Sequence, residues 1–481
     1  MRFSSGGFLE VSFYNTAQRA VVPFIPLAEG QVSMYCCGPT VYNYAHIGNL
    51  RTYVFEDTLR RVLKDAGYEI YHVLNVTDVG HLTSDGDEGE DKMIQSAREK
   101  GMDVWAIAKF FTEAFFQDWE QLSLLKPRVI CRATEHIQDM VALIEKLEAN
   151  GFTYFSQGNL YFDTSLFPDY GKMALVERQT GETVSRVETD TAKKNERDFV
   201  LWFTQGKFSD QAMLWESPWG LGYPGWHIEC SAMSSKYLGE KFDIHCGGVD
   251  HIAVHHTNEI AQSEGAFGHP WVKYWLHGEF LILQKEKMSK SSGEFLTLSA
   301  LVQKGYDPLD YRYFLLNAHY RTQLAFSWEA MDSARNGRKN LSEKIASMGE
   351  GIENPLSFFL NNEVIAEKAL IWQRDIRNSL YQDLNLPSAL GQVWNMVKDQ
   401  TTANVEKLQV LGWVNQVFAL GFEKVFVKVN IPPEVTELAE ERWKAKLEKQ
   451  WSAADTLRGK IAELGWQMED NAGGYRLRKM V

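Results

Sequence analysis

VSMYCCGPTVYNYAHIGNLRTYVFEDTLRRVLKDAGYEIYHVLNV, residues 32–76, decides the architecture. Residues 32–38 form an apolar run suited to a buried strand, and Gly38-Pro39 breaks it. The residues that follow, up to Asn49, read as a loop. From Arg51 onward Val54, Leu59, Val62 and Leu63 recur at helical spacing, and the pattern stops at Gly67. YEIYHVLNV, residues 68–76, is aromatic and β-branched, as a second strand requires. Strand, loop, helix and strand make a βαβ unit.

Working outward, TSDGDEGEDK (83–92) is acidic and Gly-rich and reads as an exposed loop. Residues 103–150 look helical. Residues 151–200 are mixed, with short strands such as NLYFDTS. FDIHCGG (242–248) reads as a strand, HHTNEIAQSEGAFG as a helix ending at Gly265, and VKYWLHGEFLIL (272–283) as a further strand region. This order predicts an α/β, Rossmann-type nucleotide-binding catalytic domain split by an insertion. Residues 1–125 supply its first half, 126–200 the connective insertion, and 201–330 its second half. Strand signals then fade, and 331–430 reads as an α-helical bundle. Ile431-Pro432-Pro433 marks a linker into a small C-terminal domain, 431–481. There, 434–465 reads as one charged helical stretch and GYRLRKMV as a basic tail.

The bulk numbers narrow the function. The chain has 481 residues and a net charge of −13. Proteins that coat nucleic acid non-specifically are usually basic, so that class is disfavoured, although one basic face on an acidic body still admits an RNA partner. Cys36, Cys37, Cys131, Cys230 and Cys246 are too few and too odd in number for a disulfide framework. The N-terminus lacks an apolar signal core and no run of 18 apolar residues occurs, so a cytoplasmic protein without a membrane span is expected.

Two short motifs point to phosphate chemistry. Ala45-His46-Ile47-Gly48-Asn49 lies between a strand and a helix. A helix N-terminus offers unpaired N–H groups and a positive dipole end, Gly48 allows close approach, and His46 and Asn49 can donate to phosphate oxygens. A satisfied loop histidine would give the same pattern. Lys287-Met288-Ser289-Lys290-Ser291 sets two lysines on a Ser/Gly-rich loop, where they can hold a polyphosphate as charge moves; a solvated charge run would look alike. About 240 residues separate the two motifs, across two α/β segments. In that order they resemble the HIGH and KMSKS signatures of class I aminoacyl-tRNA synthetases, with Asn49 in place of the second histidine.

A third pattern concerns metal. His255 and Glu259, four apart on a predicted helix, share a face. Thiolate, imidazole and carboxylate all bind zinc. Cys37 and Cys230 are candidate thiolates, but there is no C-x-x-C, a buried inert cysteine is from the residues alone the better explanation of each, and His256 is an equal rival to His255.

TVYNYAHIGNLRTYVFEDTLRR, GYPGWHIECSAMSSKYLGEKFDIHCGG, HHTNEIAQSEGAFG, EKMSKSSGEF and WSAADTLRGKIAELGWQMED together resemble the cysteinyl-tRNA synthetase family over nearly the whole chain. The resemblance implies one Zn²⁺ held by Cys37, Cys230, His255 and Glu259. It implies ATP with Mg²⁺ at Gly38, Thr40, His46, Gly48, Asn49, Lys287 and Lys290, of which His46, Asn49, Lys287 and Lys290 would be catalytic. Thr77, Trp226 and His245 would belong to the L-cysteine pocket. Trp451, Asp455 and Asp470 would read the tRNA(Cys) anticodon, although Trp451 equally suits a core and the two acids a solvated face. The departures are HTNE for an HENE-like run, Cys246-Gly247-Gly248 for GGG, and an acidic insertion after NVTDVGH. A monomer is expected. The rival reading is a zinc-dependent cysteine:amino-sugar ligase of the mycothiol type, whose members look truncated where this chain keeps a full tail.

Overall fold

The computed structural model describes residues 10–80, 92–175, 191–204, 213–283, 296–361, 366–427, 431–471 and 474–479. The chain divides into two compact units, 1–422 and 423–481.

The first unit is built on a five-stranded parallel sheet. Its strands are β3 (Gln31–Cys36), β4 (Glu69–Val76), β5 (Val129–Arg132), β10 (Phe242–Gly248) and β11 (Val272–Gly278), in spatial order β11-β10-β3-β4-β5. β1 (Ser12–Asn15) and β2 (Ala20–Pro23) form a separate hairpin. The expected βαβ unit is β3, α1 (Ile47–Asp65) and β4, paired from Gln31 opposite Glu69 to Cys36 opposite Leu74. β3 starts one arm of the sheet toward β5, and β10 starts the other toward β11. The order therefore reverses between β3 and β10, and open α/β sheets bind ligands at such a switch point, beyond the carboxyl ends of the strands.

α1 begins at Ile47, earlier than the periodicity alone suggests, because His46 caps it. Helices α2 (Lys92–Lys100) and α3 (Val104–Gln121) follow. β5 corrects the reading of 103–150 as helical throughout. This four-residue strand lies between α3 and α4 (Ile137–Ala149), too short to show a period of its own. An antiparallel sheet then interrupts the parallel one, with β6 (Thr153–Ser156), β7 (Asn159–Phe162), β8 (Phe199–Phe203) and β9 (Tyr223–Pro224). The two sheets thus divide elsewhere than at 126 and 200: β5 belongs to the parallel sheet, and β8 and β9 to the inserted one.

α5 (Trp226–Leu238) precedes β10, and the short α6 (Asp250–Ala253) and α7 (His255–Phe267) follow it. α7 does not stop at Gly265. That glycine packs inside the helix, where an added Cβ would lie 3.2 Å from Leu147. Gly268, at φ +74°, makes the left-handed cap. The expected strand 272–283 is broken: β11 ends at Gly278, and Leu281–Leu283 (β12) pairs instead with Leu324–Phe326 (β13). Helices Trp328–Met348, Glu367–Tyr381, Leu386–Lys398 and Asn404–Phe418 make the helical part.

The second unit has its own core of Val435, Ala439, Ile461, Trp466 and Met468. The single charged helix expected there is two, Pro433–Leu447 and Trp451–Glu463, separated by Lys449 at φ 59°. The expected basic tail is a strand, Gly474–Lys479, paired with Trp466–Asn471. Among the described residues, no helix is long and apolar enough to cross a membrane.

Candidate functional site

A cavity of about 440 Å³ opens at the switch point. Its floor is Cys37, Gly38 and Thr40, where the chain leaves β3, with Gly248 at the end of β10 and Gly278 at the end of β11. Gly38 is required sterically: its N–H donates to Asn75 Oδ1 at 2.8 Å, and a Cβ there would overlap the Asn75 carbonyl. His46, Gly48 and Asn49 line the cavity from the first turn of α1.

The local chemistry of that turn is a reciprocal cap. The Asn49 N–H donates to His46 Nδ1 at 3.0 Å, and the His46 N–H donates to Asn49 Oδ1 at 3.2 Å. Two consequences follow. Nδ1 accepts, so the neutral imidazole carries its proton on Nε2 as a donor. Burial lowers the His46 pKa, which keeps the ring neutral at pH 7. Asn49 uses its carbonyl oxygen in the cap, so the donor end of its amide is not consumed. Gly48 matters for a reason other than ligand approach alone, since a Cβ would lie 2.9 Å from the His46 ring.

Behind the floor lies a buried array. Ligand atoms of Cys37, Cys230, His255 and Glu259 lie within 4.8 Å of one another, although the residues come from the β3 exit, α5 and α7. Cys37, His245, His256 and Glu259 also satisfy that distance. The rivalry between His255 and His256 thus persists in three dimensions, with Cys37 and Glu259 common to both sets. Glu259 joins the two sets through 2.7 Å contacts, Oε1 to His255 Nε2 and Oε2 to His245 Nε2. Cys37 Sγ lies 3.3 Å from His256 Nε2, and His256 Nδ1 lies 2.8 Å from His277 Nε2.

The charges in this array are coupled. A hydrogen bond from Cys37 brings the Cys230 thiol down to about 6 against the effect of burial, so Cys230 is the thiolate of the pair. Burial, and then the bond to Cys230, pushes Cys37 well up. Burial opposes the imidazolium form of His255, but Glu259 and Cys230 raise it to about 10. Against burial, His255 and His245 hold Glu259 at about 2. A buried thiolate and carboxylate beside a second thiol make a donor set that suits a dication of N/S preference such as zinc.

Trp226 lines the cavity and stacks on His255 with centroids 4.2 Å apart. Thr77 is buried, donating to Glu229 Oε2 at 2.9 Å and accepting from Asn75 at 3.2 Å. His245 is fully buried against Trp275 behind Glu259, away from the cavity surface. Lys287, Lys290 and nearly all of the acidic stretch 83–92 lie outside the described residues. Asp250, His251 and Glu279 also line the cavity and belong to none of the sequence motifs. Their one signal was position, just past the strand-ending glycines 248 and 278.

In the second unit, Trp451 is 59% exposed, so it is no part of that unit's core. Asp455 is exposed one turn further along the same helix. Asp470 is engaged within the unit: Arg442 holds its carboxylate with two N–H groups, and Lys446 Nζ donates at 2.8 Å. The bond from Arg442 is the main reason its pKa falls to about 2.

Residues 23–336 match the family model described as tRNA synthetases class I (C) catalytic domain. Over 492 residues the chain is 47% identical to the cysteine–tRNA ligase of Treponema denticola, covering 98% of this chain and 100% of that one. It is also 47% identical over 475 residues to cysteine–tRNA ligase 1 of Burkholderia lata, covering 98% of each. The fold is similar to that of the Mycobacterium tuberculosis methionyl-tRNA synthetase bound by methionyl-adenylate, with a TM-score of 0.57 at 16% identity, over 84% of this chain and 95% of that one. The chain belongs to the class I tRNA synthetases, in the family that includes these cysteine–tRNA ligases.

Proposed function

We propose that the chain activates L-cysteine with ATP and Mg²⁺ and transfers it to tRNA(Cys), as a monomer in the cytoplasm, with one Zn²⁺ held by Cys37, Cys230, His255 and Glu259. The observation that carries this reading is a shared residue. Cys37 belongs both to the buried donor array and to the cavity floor beside the His46–Asn49 turn. When bound, zinc would supply a Lewis acid that favours sulfur over a neutral hydroxyl, the one-atom difference between cysteine and serine that a plain cavity separates poorly. Cys37 and Cys230 make this set the more thiolate-rich of the two. All five cysteines are free, in keeping with a reducing compartment.

The rest of the work falls to positioning and charge. His46 Nε2–H and the Asn49 amide would donate to the α-phosphate as the cysteine carboxylate attacks it in line, assisted by the N-terminal end of α1. The backbone at Gly38 and Thr40 and the turn at Gly48 would shape the nucleotide seat. Trp226 and Thr77 would border the amino acid, with His245 orienting Glu259 from behind. Lys287 and Lys290 would hold the departing pyrophosphate. A ribose hydroxyl of the tRNA's terminal adenosine would then take the cysteinyl group. Trp451, Asp455 and Asp470 would serve the anticodon, with Asp470 acting through the Arg442–Lys446 pair or after exchanging it. The amino-sugar ligase reading is disfavoured by relatives that match over the full length and are named tRNA ligases.

The test measures cysteine-dependent ATP–pyrophosphate exchange, tRNA charging and zinc content on one preparation. Exchange, charging and about one zinc per chain are expected, with Cys230→Ser and His255→Ala together abolishing the zinc. Zinc retained at wild-type affinity in that double variant sinks the ligand assignment and leaves the set containing His245 and His256.

A further inference from the structure

Aromatic side chains collect at the mouth of the cavity. Tyr44, in the loop that lines it, is 40% exposed, and its ring meets Phe110 at 6.0 Å and Phe111 at 5.1 Å in edge-to-face contacts. Phe111 and Phe115 of α3 form the wall. Phe110, also 40% exposed, is not part of the cavity lining and carries the aromatic surface outward from it. The core face of α3 is made by other residues, among them Val104, Ile107, Phe111 and Phe115. At the end of α2 the Lys100 ammonium lies 5.4 Å from the Phe111 ring centroid.

We infer that Tyr44 and Phe110 form a stacking platform for the unpaired 3′-terminal nucleotides of the tRNA, with Lys100 facing their backbone. The inference rests on the ligase reading. That reaction requires a ribose hydroxyl at the end of a single strand to enter this cavity, so the strand must cross its mouth. Single strands are held by exposed aromatic rings, which accept any base through its π-face, combined with cations that follow the phosphates. The mouth supplies both: two half-exposed rings in mutual contact and an ammonium beside the ring they share. The platform is continuous with the cavity in which the adenylate would form, which sets it apart from an isolated apolar patch.

Phe110→Ala tests this. Its KM for tRNA in charging rises about tenfold, the scale of one lost stacked base, and Phe110→Trp restores it. Cysteine-dependent pyrophosphate exchange and the melting temperature are the controls and stay at wild-type values. In direct binding, Phe110→Ala weakens intact tRNA but not tRNA shortened by its unpaired 3′ nucleotides. Lys100→Ala lowers the salt slope of tRNA binding by about one. The platform is overturned by a wild-type KM in Phe110→Ala, by equal weakening with shortened tRNA, or by a parallel fall in exchange. Absence of exchange in the wild-type protein would instead overturn the ligase reading beneath it.

Discussion

His72 shows how one residue sets a response to acid. It sits fully buried in the middle of β4, and among the described residues neither ring nitrogen has a hydrogen-bond partner. Burial, and then the nearby Arg60, holds its pKa well below the usual imidazole value. In the unfolded chain the ring titrates near 6.5. Below that pH the unfolded state takes up a proton that the native state refuses. The contribution is therefore intact at neutral pH and is lost as the pH falls below about 6.5 toward the depressed native value. One such group steepens the decline by at most about 1.4 kcal/mol per pH unit. Urea unfolding of His72→Leu between pH 7 and pH 5 should show a shallower loss of stability than the wild type. An unchanged slope would mean that His72 is protonated in the native state, contrary to its burial.

At the scale of the element, α1 carries the turn that lines the cavity and is fastened at several points to helices far along the chain. Asp57 accepts from Arg312 at 2.5 Å, from Arg61 at 2.7 Å and from the Leu125 N–H at 2.7 Å. Arg312 in turn donates to the carbonyls of Phe418 at 2.7 Å and Leu122 at 2.9 Å. One fully buried guanidinium thus ties α1 to the ends of α3 and of the helix Asn404–Phe418. At the last residue of α1, Asp65 accepts from Arg377, Tyr381 and Trp413. Burial opposes the charge on Asp57, but Arg312 and Arg61 more than offset it and lower its pKa. Removing one partner of such a pair strands the other. Arg312→Met should cost about 3–5 kcal/mol of unfolding free energy, and adding Asp57→Leu should recover a substantial part. Urea titration of the single and double variants decides this; a double variant no more stable than Arg312→Met would show that contacts outside the Arg312–Asp57 pair dominate, those of Arg312 with the two carbonyls or those of Asp57 with Arg61 and the Leu125 N–H.

At the scale of the whole molecule, residues 423–481 form a compact unit with a core of their own. Deleting 432–481 should leave cysteine-dependent pyrophosphate exchange near wild type and cripple tRNA charging, because every proposed activation residue precedes 292. Both assays on one folded truncation check it. Full charging would refute the anticodon assignment, and loss of both activities would show that the tail supports the first unit. Much of this organisation was legible in the chain itself. The run 32–76 announced β3, α1 and β4 because strand and helix periods are local, and each ligand candidate was visible as a residue type. Other features needed the folded chain. The four residues of β5 carry no period, so only pairing with β4 reveals them as part of the parallel sheet. Gly265 reads as a stop until Leu147 and Phe152 are seen packed against it inside α7. Cys37 and Cys230 meet because β3, α5 and α7 converge behind one strand end, and that convergence also brings His245 and His256 into range and creates the second donor set. Local sequence determines which residues can act, through conformational preference and side-chain chemistry. Which of them act together is decided by long-range packing, which periodicity along a single chain does not encode.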